Sequence, residues 1–296
     1  MTYSIVARDE AGRMGVAVQT CLMGVGSICP WGRAGVGVVA TQAFALPGYG
    51  PRLLDRLAAG ERPADALAAL LAADELREQR QVGVLAADGS VAAHTGSDTI
   101  PFAGDVQAEA LSCQANMMTR AGVPEAMREG FLEATGALAH RMLAAMEAAE
   151  RAGGDFRGRQ SAAMIVVAPD PKDEGWQGVD LDVRVDDDPE PLAALRRLID
   201  MHDAYRLMRE SVSAAREGRV DDSAGLAARA SELAPHDQHV AFNTALLRAH
   251  GGDVAPLRAM IERRPGNRVY VEWLQAHGET QLDAAVLAQL GAERTP

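Results

Sequence analysis

Thr2 follows Met1 and opens a strand-like run, Tyr3-Ser4-Ile5-Val6-Ala7-Arg8. A small second residue permits removal of Met1. One residue then carries both a hydroxyl nucleophile and a free α-amine. The ordinary pKa of an α-amine is about 8, so part of it is neutral at pH 7 and can take the hydroxyl proton. This is the threonine form of a nucleophile activated by its own N-terminus. Many chains begin Met-Thr without such chemistry, and retention of Met1 would remove the base.

Acyl transfer from an amide also needs donors for the tetrahedral oxyanion, each worth about 3–4 kcal/mol. Gln114 and Asn116 stand two residues apart at the end of a strand-like segment and share one face. Gln19 and Gln42 end two other such segments. Each of these amides can equally cap backbone groups at its strand end. After Gly153-Gly154, the residues Asp155, Arg157, Gln160 and Ser161 can set a carboxylate and a cation beside a nucleophile, or form a structural ion pair in a tight turn. Ser27 and Arg33 bracket Pro30-Trp31. Arg33 can grip a substrate carboxylate bidentately or pair with a surface acid. Asp186, Asp187 and Asp188 offer oxygen ligands for a cation, but ahead of Pro191 they read better as a helix cap, and no metal or other cofactor is assigned. His94 is alone in its strand and reads as structural.

Bulk properties narrow the classes. The chain has 296 residues, 48% hydrophobic but only 4% aromatic, so the core is built from aliphatic residues and Met. A net charge of −12 gives no general attraction to nucleic acid or to an anionic membrane. Cys21, Cys29 and Cys113 are odd in number and match no zinc spacing; a cysteine hydrolase using Cys21 or Cys29 finds no nearby His. No secretory pattern or membrane-length apolar run is present, which points to a cytoplasmic protein with reduced thiols.

The periodicity predicts strands at 3–8, 14–20, 35–42, 81–86, 91–94, 111–115, 162–168 and 179–185. It predicts helices near 50–59, 63–73, 123–135, 137–151 and 191–209. Asp88-Gly89 marks a hairpin, and Gly60 and Pro63 punctuate two helices. Strands, two helices, strands, two helices, strands suit two stacked antiparallel sheets with outer helices, an α+β class of which the four-layer αββα sandwich is one fold. From 204 onward no strand pattern appears. Gly218 and Gly251, with Leu233-Ala234-Pro235 and Arg264-Pro265-Gly266 as stops, suggest degenerate tetratricopeptide-like hairpins or an ordinary helical appendage. The expected domains are 1–203 and 204–296.

Several strings occur in a distinctive order: Tyr3–Asp9, Gly15-Val16-Ala17-Val18-Gln19, Gly26-Ser27-Ile28-Cys29-Pro30-Trp31-Gly32-Arg33, Ala40-Thr41-Gln42-Ala43-Phe44 and Tyr49-Gly50-Pro51. Arg80-Gln81-Val82-Gly83-Val84, Gly153–Ala162 and Asp182–Asp187 follow. Together they resemble the family called domain of unknown function 1028, grouped with the N-terminal nucleophile (Ntn) hydrolases, over most of 1–200. The resemblance implies the αββα fold, makes Thr2 the leading nucleophile, and implies amide-bond hydrolysis with no assigned substrate. Asp and Ser residues support the terminal Thr of proteasome-type sites, a role matched here loosely to Asp155 and Ser161. Some members carry a C-terminal module described as peptidoglycan-binding; 204–290 looks different, and that role is not carried over.

The expected catalytic set is therefore Thr2, Asn116, Asp155 and Ser161, with Ser27, Arg33, Gln42, Gln114 and Arg157 as substrate-binding candidates. The expected substrate is a small amide or short peptide. The competing reading is a non-catalytic scaffold whose C-terminal helices dock a protein partner. A homo-oligomer is compatible with either.

Overall fold

The computed structural model describes residues 2–172 and 174–290. Met1, on which the N-terminal chemistry depends, lies outside the described residues, as do 291–296. The chain divides into two units, 1–199 and 200–296. The division falls inside one continuous helix rather than at a linker.

Unit 1 holds ten strands in two antiparallel sheets. They are β1 (Thr2–Arg8), β2 (Met14–Thr20), β3 (Pro30–Arg33), β4 (Gly37–Ala43), β5 (Arg80–Ala86), β6 (Val91–Thr95), β7 (Gly104–Ala108), β8 (Leu111–Asn116), β9 (Ser161–Val167) and β10 (Val179–Val185). The larger sheet runs β10-β9-β2-β1-β8-β7 and the smaller β3-β4-β5-β6. The strand expected at 35–42 is β4. Strands β3 and β7 are additions to the expected set. β3 contains Pro30 and Gly32 and lies at an edge, where a missing N–H is tolerated. β7 is a short edge strand, Gly-Asp-Val-Gln-Ala, whose alternation rests on one large apolar residue, Val106.

Side-chain alternation separates three apolar layers. Tyr3, Ile5 and Ala7 of β1 pack under α3 (Val123–Glu133), α4 (Leu138–Arg151) and the first turns of α5 (Pro191–Arg216). Val6, Val16 and Val18 face Val38, Ala40 and Leu85 of the smaller sheet. The other face of that sheet, through Val39, Val82 and Val84, is covered by α1 (Tyr49–Ala58) and α2 (Pro63–Ala72). On α4 the buried residues Leu138, Met142, Ala145, Met146 and Ala149 form one stripe at helical spacing. Each such buried Leu or Met contributes about 1.5–3 kcal/mol. Gly60, at φ 88°, takes a left-handed conformation after α1, and Pro63 starts α2 where its missing N–H costs nothing.

Unit 2 is helical throughout its described residues. It contains the later part of α5 and α6 (Val220–Leu233), α7 (Gln238–His250), α8 (Ala255–Arg263), α9 (Gly266–Ala276) and α10 (Ala284–Gln289). Two aliphatic clusters hold it: Ala204, Leu207, Ala227, Ala230 and Val240 in one, and Leu246, Leu257, Ile261, Val271 and Leu282 in the other. Among the described residues no helix is long and apolar enough to cross a membrane.

One ion pair fixes the start of β5. Arg80 donates through Nε to Asp74 Oδ2 at 2.8 Å and through Nη1 to the Phe44 carbonyl at 2.5 Å. Tyr49 Oη adds a 3.1 Å bond to the same carboxylate. The Arg80 hydrogen bond holds the Asp74 carboxyl down to about 2. A depressed carboxylate stabilises the fold above its unfolded pKa of about 4 and loses that contribution as pH falls towards the folded value. Asp74→Asn should therefore lower stability by about 1–2 kcal/mol at pH 7, with the gap to wild type narrowing between pH 4 and 2. Urea midpoints of both proteins across that range measure it; a gap independent of pH would contradict the assignment.

Candidate active site at the end of the central strands

Thr2 is the first residue of an interior strand, and strand pairing sets its neighbours. Across the larger sheet its Cα partners are Thr20 on β2 and Asn116 on β8, and Thr20 in turn pairs with Ser161 on β9. Across the smaller sheet Gln42 pairs with Gln81, and Gln81 with Thr95. At this one level of the sandwich each of these seven positions is polar. Thr2, Thr20, Gln42, Gln81, Asn116 and Ser161 are all buried.

The two rows meet through carboxamides. Gln81 Nε2 donates to the carbonyls of Ala115 at 2.9 Å and Gly104 at 3.1 Å, and reaches Thr95 Oγ1 at 2.9 Å. Carbonyls only accept, so the Gln81 oxygen must face the other way. That oxygen accepts from Gln42 Nε2 at 2.7 Å and from Asn116 Nδ2 at 2.8 Å. Both amide nitrogens also donate to the Thr2 carbonyl at 3.3 Å. Two side chains from opposite sheets thus grip the backbone of the residue that carries the hydroxyl. Thr2 Oγ1 itself bonds Thr20 Oγ1 at 3.3 Å.

The residues just after both amides are strained. Ala43 follows Gln42 with φ 66°, and Met117 follows Asn116 with φ 59°. A side chain in this region costs about 1–2 kcal/mol, which the surrounding bonds must over-determine.

Asp155 stands at this same end of the larger sheet, beside the segment that follows β8. It forms an isolated bridge with Met118, two residues beyond Asn116, and its charge acts on Cys21, the residue beyond Thr20. Its Oδ1 accepts from the Arg157 N–H at 2.8 Å, and Arg157 Nη2 stands 3.8 Å from Oδ2. Burial raises the Asp155 carboxyl above its usual range, more than the Arg157 N–H and charge lower it. Among the described residues, no N–H or O–H donor reaches the buried Asp155 Oδ2 or Asn116 Oδ1, and the Cys21 thiol bonds to the Asp155 carboxylate.

Behind Thr2, on the helix side, Tyr3 Oη donates to Glu150 Oε1 at 2.6 Å and Gln19 Nε2 to the same oxygen at 2.9 Å. Arg159 Nη1 holds the other carboxylate oxygen at 3.1 Å. Burial, then the Glu150 charge, pushes the Tyr3 phenol well above its ordinary value. Gln19 therefore anchors the back of the strand and does not face the Thr2 hydroxyl.

The other expected residues are placed as follows. Gln114 sits one step inward, accepting from Ser4 Oγ at 2.9 Å, and packs so closely on Gly83 that a Cβ there would meet the amide at 2.4 Å. Ser161 shares the Thr2 row, but its hydroxyl binds the Leu22 carbonyl at 2.5 Å and the Val25 N–H at 3.1 Å, so it secures the loop after β2. Ser27 is exposed and bonds Gly24 O. Arg33 pairs with Asp55 at 2.8 Å. It stands opposite Gly37, five residues from Gln42 along β4 and so about 17 Å away. Neither Ser27 nor Arg33 joins the cluster. Asp188 Oδ1 accepts from the Glu190 N–H ahead of α5, and His94 Nε2 bonds Arg77 O. Burial raises all three thiols, Cys29 to about 12. Among the described residues no group of three or more His, Cys, Asp and Glu is arranged to hold a metal ion. An open cleft of about 570 Å³ in unit 2, lined by Tyr205, Met208, Arg216 and His239, contains none of the candidate residues. Gln81, Thr20 and Thr95 were absent from the expected set; the available signal was a polar residue on the inward face of an otherwise apolar strand.

The sequence model of DUF1028, a family of unknown function, matches residues 2–195. This chain belongs to the DUF1028 family. The match begins at Thr2 and ends within α5, so it takes in the whole polar cluster and none of unit 2. The crystal structure of a DUF1028 protein from Silicibacter pomeroyi is similar, with 33% identity and a TM-score of 0.61 over 67% of this chain and 87% of that one. No curated protein matches the chain.

Two substitutions separate pairing from chemistry. Gln81→Leu leaves the N–H groups of Gln42 and Asn116 without their acceptor, and should cost about 2–4 kcal/mol in denaturant unfolding. Asp155→Asn should behave oppositely. A carboxyl raised by burial stabilises fully below its unfolded pKa and loses that contribution as pH rises through the folded value. The asparagine variant should thus melt at or above the wild-type temperature at pH 8; a clear drop would assign Asp155 a structural pairing role.

Proposed function

We propose that this DUF1028 protein is an amide hydrolase of the N-terminal nucleophile type, built on a four-layer αββα sandwich, with Thr2 as nucleophile. Once whatever precedes Thr2 is removed, its α-amine takes the proton of Oγ1, which attacks the amide carbonyl. The amine returns that proton to the leaving nitrogen, and water then resolves the ester. The observation that supports this reading is the placing of two buried acceptors beside the start of β1, Asn116 Oδ1 and Asp155 Oδ2, which no N–H or O–H donor of the described residues reaches. An α-amine supplies N–H donors to such acceptors; an oxyanion does not. Asn116, whose N–H groups are engaged by Thr2 O and Gln81, accordingly acts as a positioning residue in this reading and not as an oxyanion donor.

A second reading, a scaffold whose tetratricopeptide-like helical unit docks a protein partner, is favoured by one feature. Tyr270, Trp273 and His277 form a stack along α9, with Tyr270 and Trp273 exposed.

A library of small amides assayed against a chain starting at Thr2 tests the catalytic reading. Thr2→Ala should reduce turnover below about one thousandth while leaving the melting temperature unchanged, and Thr2→Ser should retain a measurable fraction. Asn116→Ala and Asp155→Ala should lower kcat more than they raise KM. Equal activity in a chain retaining Met1 would contradict the α-amine mechanism.

A further inference from the structure

The polar end of the sandwich is ringed by apolar side chains that face solvent. The chain has five phenylalanines; Phe131 and Phe242 are buried, whereas Phe44, Phe102 and Phe156 are 59%, 51% and 54% exposed. All three exposed rings belong to loops that adjoin the strands of the Thr2 cluster, Phe156 on the segment between α4 and β9. Phe44 follows Gln42 by two residues, and Arg80 holds its carbonyl. The carbonyl of Phe102 accepts from the Met118 N–H, and the N–H of Phe156 donates to Met117 O, so both flank the segment after Asn116. Leu22 and Met23, also exposed, follow Thr20 and are held by Ser161. Exposed Ile100 accepts from the Met117 N–H.

Six of the fifteen exposed large hydrophobics among the described residues thus lie on four loops next to one polar centre. Backbone and side-chain hydrogen bonds fix the loops, so the rim is preformed. Apolar walls around a few convergent polar groups are the composition of a small-molecule site. We infer that the substrate is an amide carrying an apolar alkyl or aryl group directly beside the scissile bond, with that group lying against Phe44, Phe102 and Phe156. This rests on the reading of Thr2 as nucleophile and names the substrate class of that site.

The full-length Thr2→Ala protein, which binds without turnover, is titrated by NMR with N-methylacetamide, hexanoic acid N-methylamide and N-hexylacetamide. At least one six-carbon amide should bind about tenfold or more tightly than N-methylacetamide. Phe102→Ser and Phe156→Ser, both at exposed positions, should each weaken that amide several-fold and leave N-methylacetamide unchanged. Equal affinities, no measurable binding of either long amide, or tight binding indifferent to both rim variants overturns the inference. Sedimentation that shows a wild-type dimer made monomeric by the rim variants also overturns it, by assigning the rim to a second copy of the chain. Hydrolysis by wild type is read separately. Rim-dependent binding without hydrolysis leaves the apolar site standing and removes the catalytic reading, whereas hydrolysis without chain-length preference does the reverse.

Discussion

The orientation of one carboxamide governs the whole polar end of unit 1. Gln81 lies between the sheets, and the Ala115 and Gly104 carbonyls leave its nitrogen only one way to point. Its oxygen then dictates that Gln42 and Asn116 both present nitrogen, and those nitrogens hold the Thr2 carbonyl. Reversing any one amide would set donor against donor or oxygen against oxygen in a buried space. A half-satisfied buried network costs more than an apolar core, so this arrangement is stable only as a complete set. It ties the smaller sheet to the first residue of the central strand of the larger one.

The surroundings carry costs that packing alone does not require. Ala43 and Met117 hold left-handed conformations immediately after the two gripping amides. Asp155 is a buried carboxyl raised above its ordinary range, with one oxygen that no N–H or O–H of the described residues reaches. Strain and buried polarity concentrated at one place are the features on which the proposal of a catalytic site rests. The Arg80–Asp74 pair and the Tyr3–Glu150–Arg159 group brace the cluster from its two sides, one through the start of β5 and the other through the second residue of β1.

Much of this organisation was legible in the sequence, for definite reasons. Val16 and Val18 alternate on β2 with smaller or polar residues although both faces of that strand are buried, and the Leu53–Leu57 spacing announces α1, which buries one face. β3 and β7 were not legible, since Pro30 and Gly32 mask one edge strand and the other offers a single large apolar residue, Val106. Thr2, Asn116 and Asp155 were legible as reactive types, and the fold sets them at one end. Gln81 was not, because its role comes from register across two sheets. It stands on the same face as Gly83 and Leu85, and a lone polar residue there has meaning only once its partners are known. Arg33 has the right chemistry for a carboxylate, but β4 carries it to the opposite end from Gln42, where Asp55 neutralises it. Ser161 has the right row and a hydroxyl already engaged by the Leu22–Val25 loop.

In the proposed mechanism the buried acceptors beside Thr2 hold its α-amine. A crystal structure of the chain beginning at Thr2 tests this directly, at a resolution that distinguishes Asn116 oxygen from nitrogen through its contacts. The Thr2 α-nitrogen should lie within about 3.2 Å of Asp155 Oδ2 or Asn116 Oδ1, with Gln42 and Asn116 still on the Thr2 carbonyl. An α-nitrogen turned to solvent, with both acceptors still without a donor, would contradict it.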